Sequence, residues 1–272
     1  MTAVATIADP TSADPTSVHL GLVELDLLAT HAGVPLPFPL RVPSFGRIEA
    51  EREVLLAVAG QTLRLRGLAD DDGPTGIAAE LLTALREHRG TVDLVCSGAD
   101  GETAVVALVY RASALICRQR LTGDPASSVL LRRVADTALT AELLDFVPEL
   151  AAARSMPIML PAAVVDAALR LVKDGTDLEA RLRDLVGDHG GDPAVLDELA
   201  GLLATPTGGG QLGATRRRDG VDGRAGSELS WLDGPRGRVQ VSRDLDGWVS
   251  INPLRPDGVR FALDGLATIA RK

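Results

Sequence analysis

At 272 residues, 46% hydrophobic and 24% charged, the chain can form one large domain or two small ones around a sizeable core. Its 28 Lys and Arg against 37 Asp and Glu leave a net charge of −9, which argues against nucleic acid as the main ligand. No apolar run approaches the roughly 20 residues of a membrane helix, so membrane insertion is not expected.

Aromatic residues make up only 3%, so the core must be built from Leu, Val and Ala. Cys96 and Cys117 both lie in apolar, strand-like runs and read as buried free thiols in a reducing cytosol rather than as a disulfide. The N-terminal MTAVATIADPTSADPTS has neither the basic residues nor the continuous apolar stretch of a secretory signal. It repeats ADPTS in tandem and carries no apolar payload, so residues 1–17 are expected to form a disordered tail. The expected location is cytoplasmic, and residues 18–272 read as a single domain with halves of about 18–150 and 151–272.

In chain order, LGLVELDLLATHAG predicts a helix with Leu22, Leu25 and Leu28 on one side and Gly33 as its stop. The alternating prolines of PLPFPL enforce an extended connector. Helices follow at roughly 47–63 and 76–89, separated by the acidic loop ADDDGPTG. The period then falls to two in TVDLVCS, ETAVVALVY and ALICRQR, with SSVLLRRVA as a possible extension of the sheet. ETAVVALVY is apolar on both faces and reads as a central strand. TAELLDFVP closes the half with a short helix, Thr140 as its cap and Pro148 as its stop.

The second half repeats this order. Three helices are expected between Pro161 and Ala204, the first with Pro161 in its first turn and the second with a capping box of Thr176 and Glu179. GGQLGATR, SELSWLD, GRVQVSR and GWVSINP are strand-like, and a last helix covers roughly Pro256–Ala270. Short turns between consecutive strands and segregated helices predict an α+β fold with an antiparallel central sheet and two helical bundles. The two halves form a quasi-twofold pseudo-repeat without recognisable sequence identity.

No catalytic constellation emerges. His19, His31, His88 and His189 lack partners at metal-ligand spacing and read as surface or helix-terminal residues. Gly208–Gly210 lacks the Lys-Ser/Thr of a phosphate loop and reads as a flexible lead into a strand. Asp70–Asp72 lacks the spaced ligands of a calcium loop and reads as solvated. From Gly209 to Arg243, seven Arg face four acidic residues, whereas Pro161–Ala204 holds four basic and nine acidic ones. That asymmetry could steer an acidic partner. The bland alternative places Arg216–Arg218 and Arg224 in a mobile loop that meets only water. A chain this well patterned with no reactive cluster is better suited to binding or scaffolding than to catalysis.

GQLGA (Gly210–Ala214), SWLDGPRGRVQV (Ser230–Val241) and GWVSINP (Gly247–Pro253) resemble the signature of the EspG family. These are the ESX, or type VII, secretion-associated chaperones of actinobacteria. Gln211, Trp231, Asp233, Arg236, Gly237, Arg238, Trp248 and Pro253 fit the family's motif positions. The PLPFPL segment and the Glu51-Arg52 helix agree more loosely. The resemblance implies a cytosolic, non-enzymatic chaperone without a cofactor that covers the helical tip of PE–PPE-type secretion substrates. In that family the central sheet, a loop between its strands and the C-terminal helical bundle form the binding surface. Carried over, the contacts are Ser97, Ala99, Asp100 and Glu102 in the loop, and Leu178, Leu182, Leu196 and Leu203 in the bundle. The loop here is only SGADGE, shorter than in better-known members. Self-association as a homodimer stays open.

Two other classes compete: a non-catalytic scaffold or regulator of the same fold, and an enzyme with a scattered polar site such as Asp233 with Arg236. The hairpin reading carries its own expectation. Trp231 and Trp248 should lie in neighbouring strands with at least one largely buried, while Asp233-Gly234-Pro235 makes the turn and Arg236 and Arg238 hold it.

Overall fold

Two meanders of apolar strands join edge to edge into one antiparallel sheet of 11 strands. The computed structural model describes residues 17–166, 187, 206–244 and 246–272. The first meander comprises β1 (Ser17–Gly21), β2 (Gly90–Gly98), β3 (Gly101–Tyr110), β4 (Ser113–Arg120) and β5 (Ser128–Ala135). The second comprises β6 (Ile158–Pro161), β7 (Gly208–Arg218), β8 (Val221–Arg224), β9 (Leu229–Gly234), β10 (Gly237–Arg243) and β11 (Trp248–Pro253). The α-helices bounded within the described residues are α1 (Leu22–Ala32), α2 (Glu49–Leu65), α3 (Gly76–Glu87), α4 (Leu139–Leu144) and α5 (Pro256–Arg271). A further helical stretch begins at 162–166.

The strand order is β1-β5-β4-β3-β2-β7-β9-β10-β11-β6, with β8 pairing the free end of β7. Reading outward from the β2–β7 pair, each side runs through its meander in chain order and ends on the strand that precedes it, β1 or β6. Each outermost strand leads directly into a helix, and each meander ends in one, α4 after β5 and α5 after β11. That is the quasi-twofold α+β architecture expected from the sequence, with the axis between β2 and β7.

Alternation along the strands builds three cores. On one face, Val92, Leu94, Val105, Ala107, Leu212 and Trp231 pack under α4 and α5, which meet at the centre of the sheet. On the other face, Val106, Leu108 and Tyr110 take up the leucines of α1 and α3. Farther along that second face, Val239, Val249 and Ile251 pack with Val164 and Val165. Ala104 through Tyr110 of β3 are all buried, as a strand covered from both sides requires.

The sheet edges are blunted. Edge strand β6 is four residues long and ends in Pro161, and the Arg66 guanidinium caps the His19 carbonyl on edge strand β1. Arg66 also pairs with the nearly buried Glu24 at 2.7 Å, whose other role is to accept from the Gly21 amide at 2.8 Å and start α1.

Several expectations are corrected. The first helix is preceded by a strand, β1, because Val18 and Leu20 alternate with polar residues and find β5 as a partner. Pro161 ends β6 rather than opening a helix. Thr140 lies inside α4 and makes no cap, since a 3-10 turn at Asp136–Ala138 already leads the chain into the helix. Gly208–Gly210 belongs to the body of β7, paired on both sides. The tail at 1–16, His189 and most of the span 161–204 lie outside the described residues.

Candidate partner-binding site

The twofold arrangement leaves a strip of the sheet between the two lobes. It is floored by the odd-numbered residues of the central pair: Thr91, Asp93, Val95 and Ser97 of β2 beside Thr215, Gly213, Gln211 and Gly209 of β7. Thr91 and Asp93 are buried, Val95 and Gln211 half-buried, and Ser97 exposed, so the strip opens toward the β2–β3 turn.

Its electrostatics centre on Arg224. Strand β8 sets Arg224 opposite Thr215, on the strip's face. From there its guanidinium reaches across Gly213 to the Asp93 carboxylate and donates through Nε to Glu228 at 2.7 Å. Gln211 donates to the second oxygen of Glu228 at 2.9 Å. A Cβ on Gly213 would lie 2.2 Å from Arg224 Nη2, so the absent side chain makes the seat. Phe38, from the proline-rich connector, places its ring 5.7 Å from the Arg224 guanidinium.

Burial pushes the Asp93 carboxyl above the ordinary carboxylate range, and Arg224 pulls it part of the way back. Burial acts to lower Arg224, but hydrogen bonds and charge from Asp93 and Glu228 outweigh it and leave Arg224 raised. Two carboxylates hold one guanidinium that keeps 41% exposure, which fixes Arg224 as the cation of the cluster.

The β2–β3 turn is tighter than SGADGE suggests. Ser97 pairs with Glu102 and Gly98 with Gly101, leaving Ala99 and Asp100 as the two turn residues. Arg120 donates to the Asp100 carbonyl and ties the turn to β4. All four proposed loop residues are therefore found together at one end of the strip, on its surface. Ala99, Asp100 and Ser97 are exposed, as is Glu102. Leu178, Leu182, Leu196 and Leu203 lie outside the described residues.

The motif residues divide between roles. Gln211 is part of the strip. Trp231 faces the opposite side, buried at 2% exposure with its ring on Gly210. Asp233 and Arg238 face each other across the β9–β10 hairpin and form a buried, bidentate ion pair. Gly237, at φ +113°, lets the hairpin approach Ala151–Ala153, whose backbone would lie 2.7–2.8 Å from a Cβ there. Pro253 closes β11 opposite Val239. Trp248 opens β11 opposite Pro161 and is 43% exposed.

The tryptophans are thus not in neighbouring strands: β10 lies between them. One of the two is buried, as expected. Asp233 is held by Arg238 across the hairpin.

The arginine segment is not a loop that meets only water. Arg217 donates to the carbonyls of Leu85 and Arg86 at 3.1 and 3.0 Å, at the C-terminal end of α3. His88, also helix-terminal but buried, sets Nε2 3.0 Å from Asp222 in β8. Sequence reasoning missed Asp93, although a lone carboxylate inside an apolar strand was a legible signal. It missed Glu228 and Phe38 as well, which carry no signal short of the fold.

Both cysteines are buried and free, and burial pushes each thiol up to about 12, consistent with inert core residues. Among the described residues no group of three or more His, Cys, Asp and Glu could hold a metal. No described helix is long and apolar enough to cross a membrane.

A family model described as the EspG family matches residues 22–265. No curated protein matches the sequence. Among solved structures, the fold is similar to that of the type VII secretion system chaperone EspG5 of Mycobacterium tuberculosis, solved in complex with a PE25–PPE41 dimer. That likeness has a TM-score of 0.63 at 16% identity and covers 93% of this chain and 96% of the other. HtdX of M. tuberculosis aligns over 86% of this chain and 98% of its own at 10% identity, with a TM-score of 0.14.

Proposed function

This chain belongs to the EspG family, and from that membership we propose that it is a cytosolic, non-enzymatic chaperone that binds a PE–PPE-like secretion substrate. The observation that carries the reading is the family match over residues 22–265, joined to a fold shared from end to end with a chaperone solved on such a dimer. The strip between the lobes supports it physically. A helical tip with an apolar end needs a shaped cradle, not reactive groups. Val95 and Leu232 offer apolar floor here, and Gln211, Arg224 and Glu228 offer polar groups already fixed by one another.

In this reading the substrate tip lies along the strip. It touches Ser97, Ala99, Asp100 and Glu102 at the turn, while the other expected contacts, Leu178, Leu182, Leu196 and Leu203, lie outside the described residues.

Co-expression with a PE–PPE-like pair encoded beside this gene tests the proposal. A soluble complex should co-elute, and Ser97→Arg, at the exposed mouth of the strip, should weaken it about tenfold or more by steric and charge mismatch without lowering the melting temperature. A substrate that stays insoluble with every neighbouring candidate would remove the chaperone reading. An unchanged affinity for Ser97→Arg would remove the strip as its site.

A further inference from the structure

A second surface is carried by the N-terminal lobe, on the helices rather than on the sheet. Helix α2 has 17 residues, yet only Ala59 and Leu63 are buried. Three aliphatic side chains on one line of that helix, Val54, Val58 and Leu65, are 64%, 55% and 89% exposed. On another side of the same helix, α1, α2 and the loop before α3 enclose a cleft of about 660 Å³. Its floor is apolar: Leu27 and Leu28 from α1, and Leu56, Ala57, Gly60 and Leu63 from α2.

The cleft has a charged rim. Asp70, Asp71 and Asp72 close one end, with Arg64 only 3.9 Å from Asp71 as a loose, exposed counterion. Asp70 accepts from the amides of Asp72 and Gly73 at 2.9 and 3.1 Å, which fixes the loop with the other two carboxylates outward. At the far end the helix spacing brings exposed Glu53 onto the same face as Ala57, Gly60 and Arg64. The face from Glu53 to Arg64 is about 17 Å long, three helical turns.

Gly60 adds an independent observation. Glycine inside a helix is destabilising relative to alanine. Packing among the described residues does not require it, since a Cβ there would rest 3.6 Å from Leu27 Cδ2, an ordinary contact. What the missing side chain does is keep the cleft floor low.

We propose that the cleft between α1 and α2 is a docking surface, separate from the strip between the lobes, for a basic amphipathic helix of another protein. Two apolar side chains one turn apart would enter the cleft over Leu56 and Gly60, and flanking Lys or Arg would meet Asp71, Asp72 and Glu53. A second copy of this chain is the poorer occupant, because its net charge of −9 sets acidic surface against acidic surface.

The test uses the full chain and a labelled synthetic helix carrying two Leu one turn apart between Lys pairs, with a Glu-for-Lys peptide as control. The Lys peptide should bind and protect 53–74 from hydrogen exchange. Gly60→Leu, which fills the floor, should weaken binding about tenfold. Asp71→Asn with Asp72→Asn, both in an exposed loop, should weaken it and flatten its salt dependence. Gly60→Ala should weaken binding while raising the melting temperature by about 2–4 °C, as a helix-propensity gain alone would. Capture of the PE–PPE-like pair should be unchanged in all of these variants. Equal binding of the two peptides, protection elsewhere, or a melting temperature lowered by Gly60→Ala would each overturn the proposal. Loss of PE–PPE-like capture would assign the cleft to the substrate surface instead and overturn it as a second site.

Discussion

Removing the carboxylate of Asp233 should destabilise this protein far more than removing a typical surface charge. Arg238 is 2% exposed and donates Nε and Nη2 to the two Asp233 oxygens at 2.6 and 2.8 Å. Nη2 also donates to the Pro148 carbonyl at 2.9 Å, and the guanidinium lies 5.2 Å from the Trp231 ring. Asp233→Ala leaves that cation buried with one carbonyl and a π-face, so a loss of about 3–5 kcal/mol is expected. Against a total of roughly 5–15 kcal/mol for a domain, that is a large share. Arg238→Ala should cost as much, because it strands the carboxylate and opens a void. The double variant should fall short of the sum by about 2–3 kcal/mol, the signature of coupled partners. Replacing the pair with Leu and Met should recover most of the loss, since the desolvation of both charges disappears with them. Urea unfolding followed by tryptophan fluorescence reads all four variants, with an unchanged m-value as the check that midpoint shifts report stability. Single losses under about 0.5 kcal/mol that simply add would refute the buried-pair reasoning.

The two tryptophans should separate in the same assay. Trp231→Ala removes a core side chain and should cost about 3–5 kcal/mol, whereas Trp248→Ala, at 43% exposure, should cost under about 1.5 kcal/mol; equal losses would contradict their placement. The thiols predict an alkaline weakness. Each is pushed up to about 12 in the folded chain, so above the ordinary thiol value of about 8.5 the unfolded state sheds a proton that the native state keeps. Their stabilisation is complete below that value and is lost as pH rises toward the folded one, about 1.4 kcal/mol per cysteine at pH 9.5. Cys96→Ser with Cys117→Ser should flatten the fall between pH 8 and 10, and an unchanged slope would count against burial as its cause. Native protein should accordingly resist a thiol reagent that modifies both residues once urea is added.

Much of this fold was legible because its signals are local. An unbroken apolar run in ETAVVALVY, a period of two in GRVQVSR, a period near 3.6 in the last helix, and Asp-Gly and Gly turns between runs need no distant partner to be read. Their order, twice over, predicted an α+β sheet flanked by helices. The Trp231, Asp233 and Arg238 pattern placed the chain in its family for the same reason: it lies in one contiguous hairpin.

What depended on distant partners was not legible. Strand β1 is five residues long with a weak pattern, and becomes a strand because β5 offers it an edge. The arginine run looks like a loop in sequence, and is ordered because β7 outlasts β9 and leaves a free edge for β8. Arg224 meets an Asp93 that is 131 residues away, and Asp233 is set opposite Arg238 by strand register. The sequence by itself determined most of the elements, the faces they bury and the family. Tertiary structure alone decided which charges became partners, and so where the strip between the lobes and the acidic cleft lie, because pairing of side chains across a sheet follows from topology and register, which local propensity does not encode.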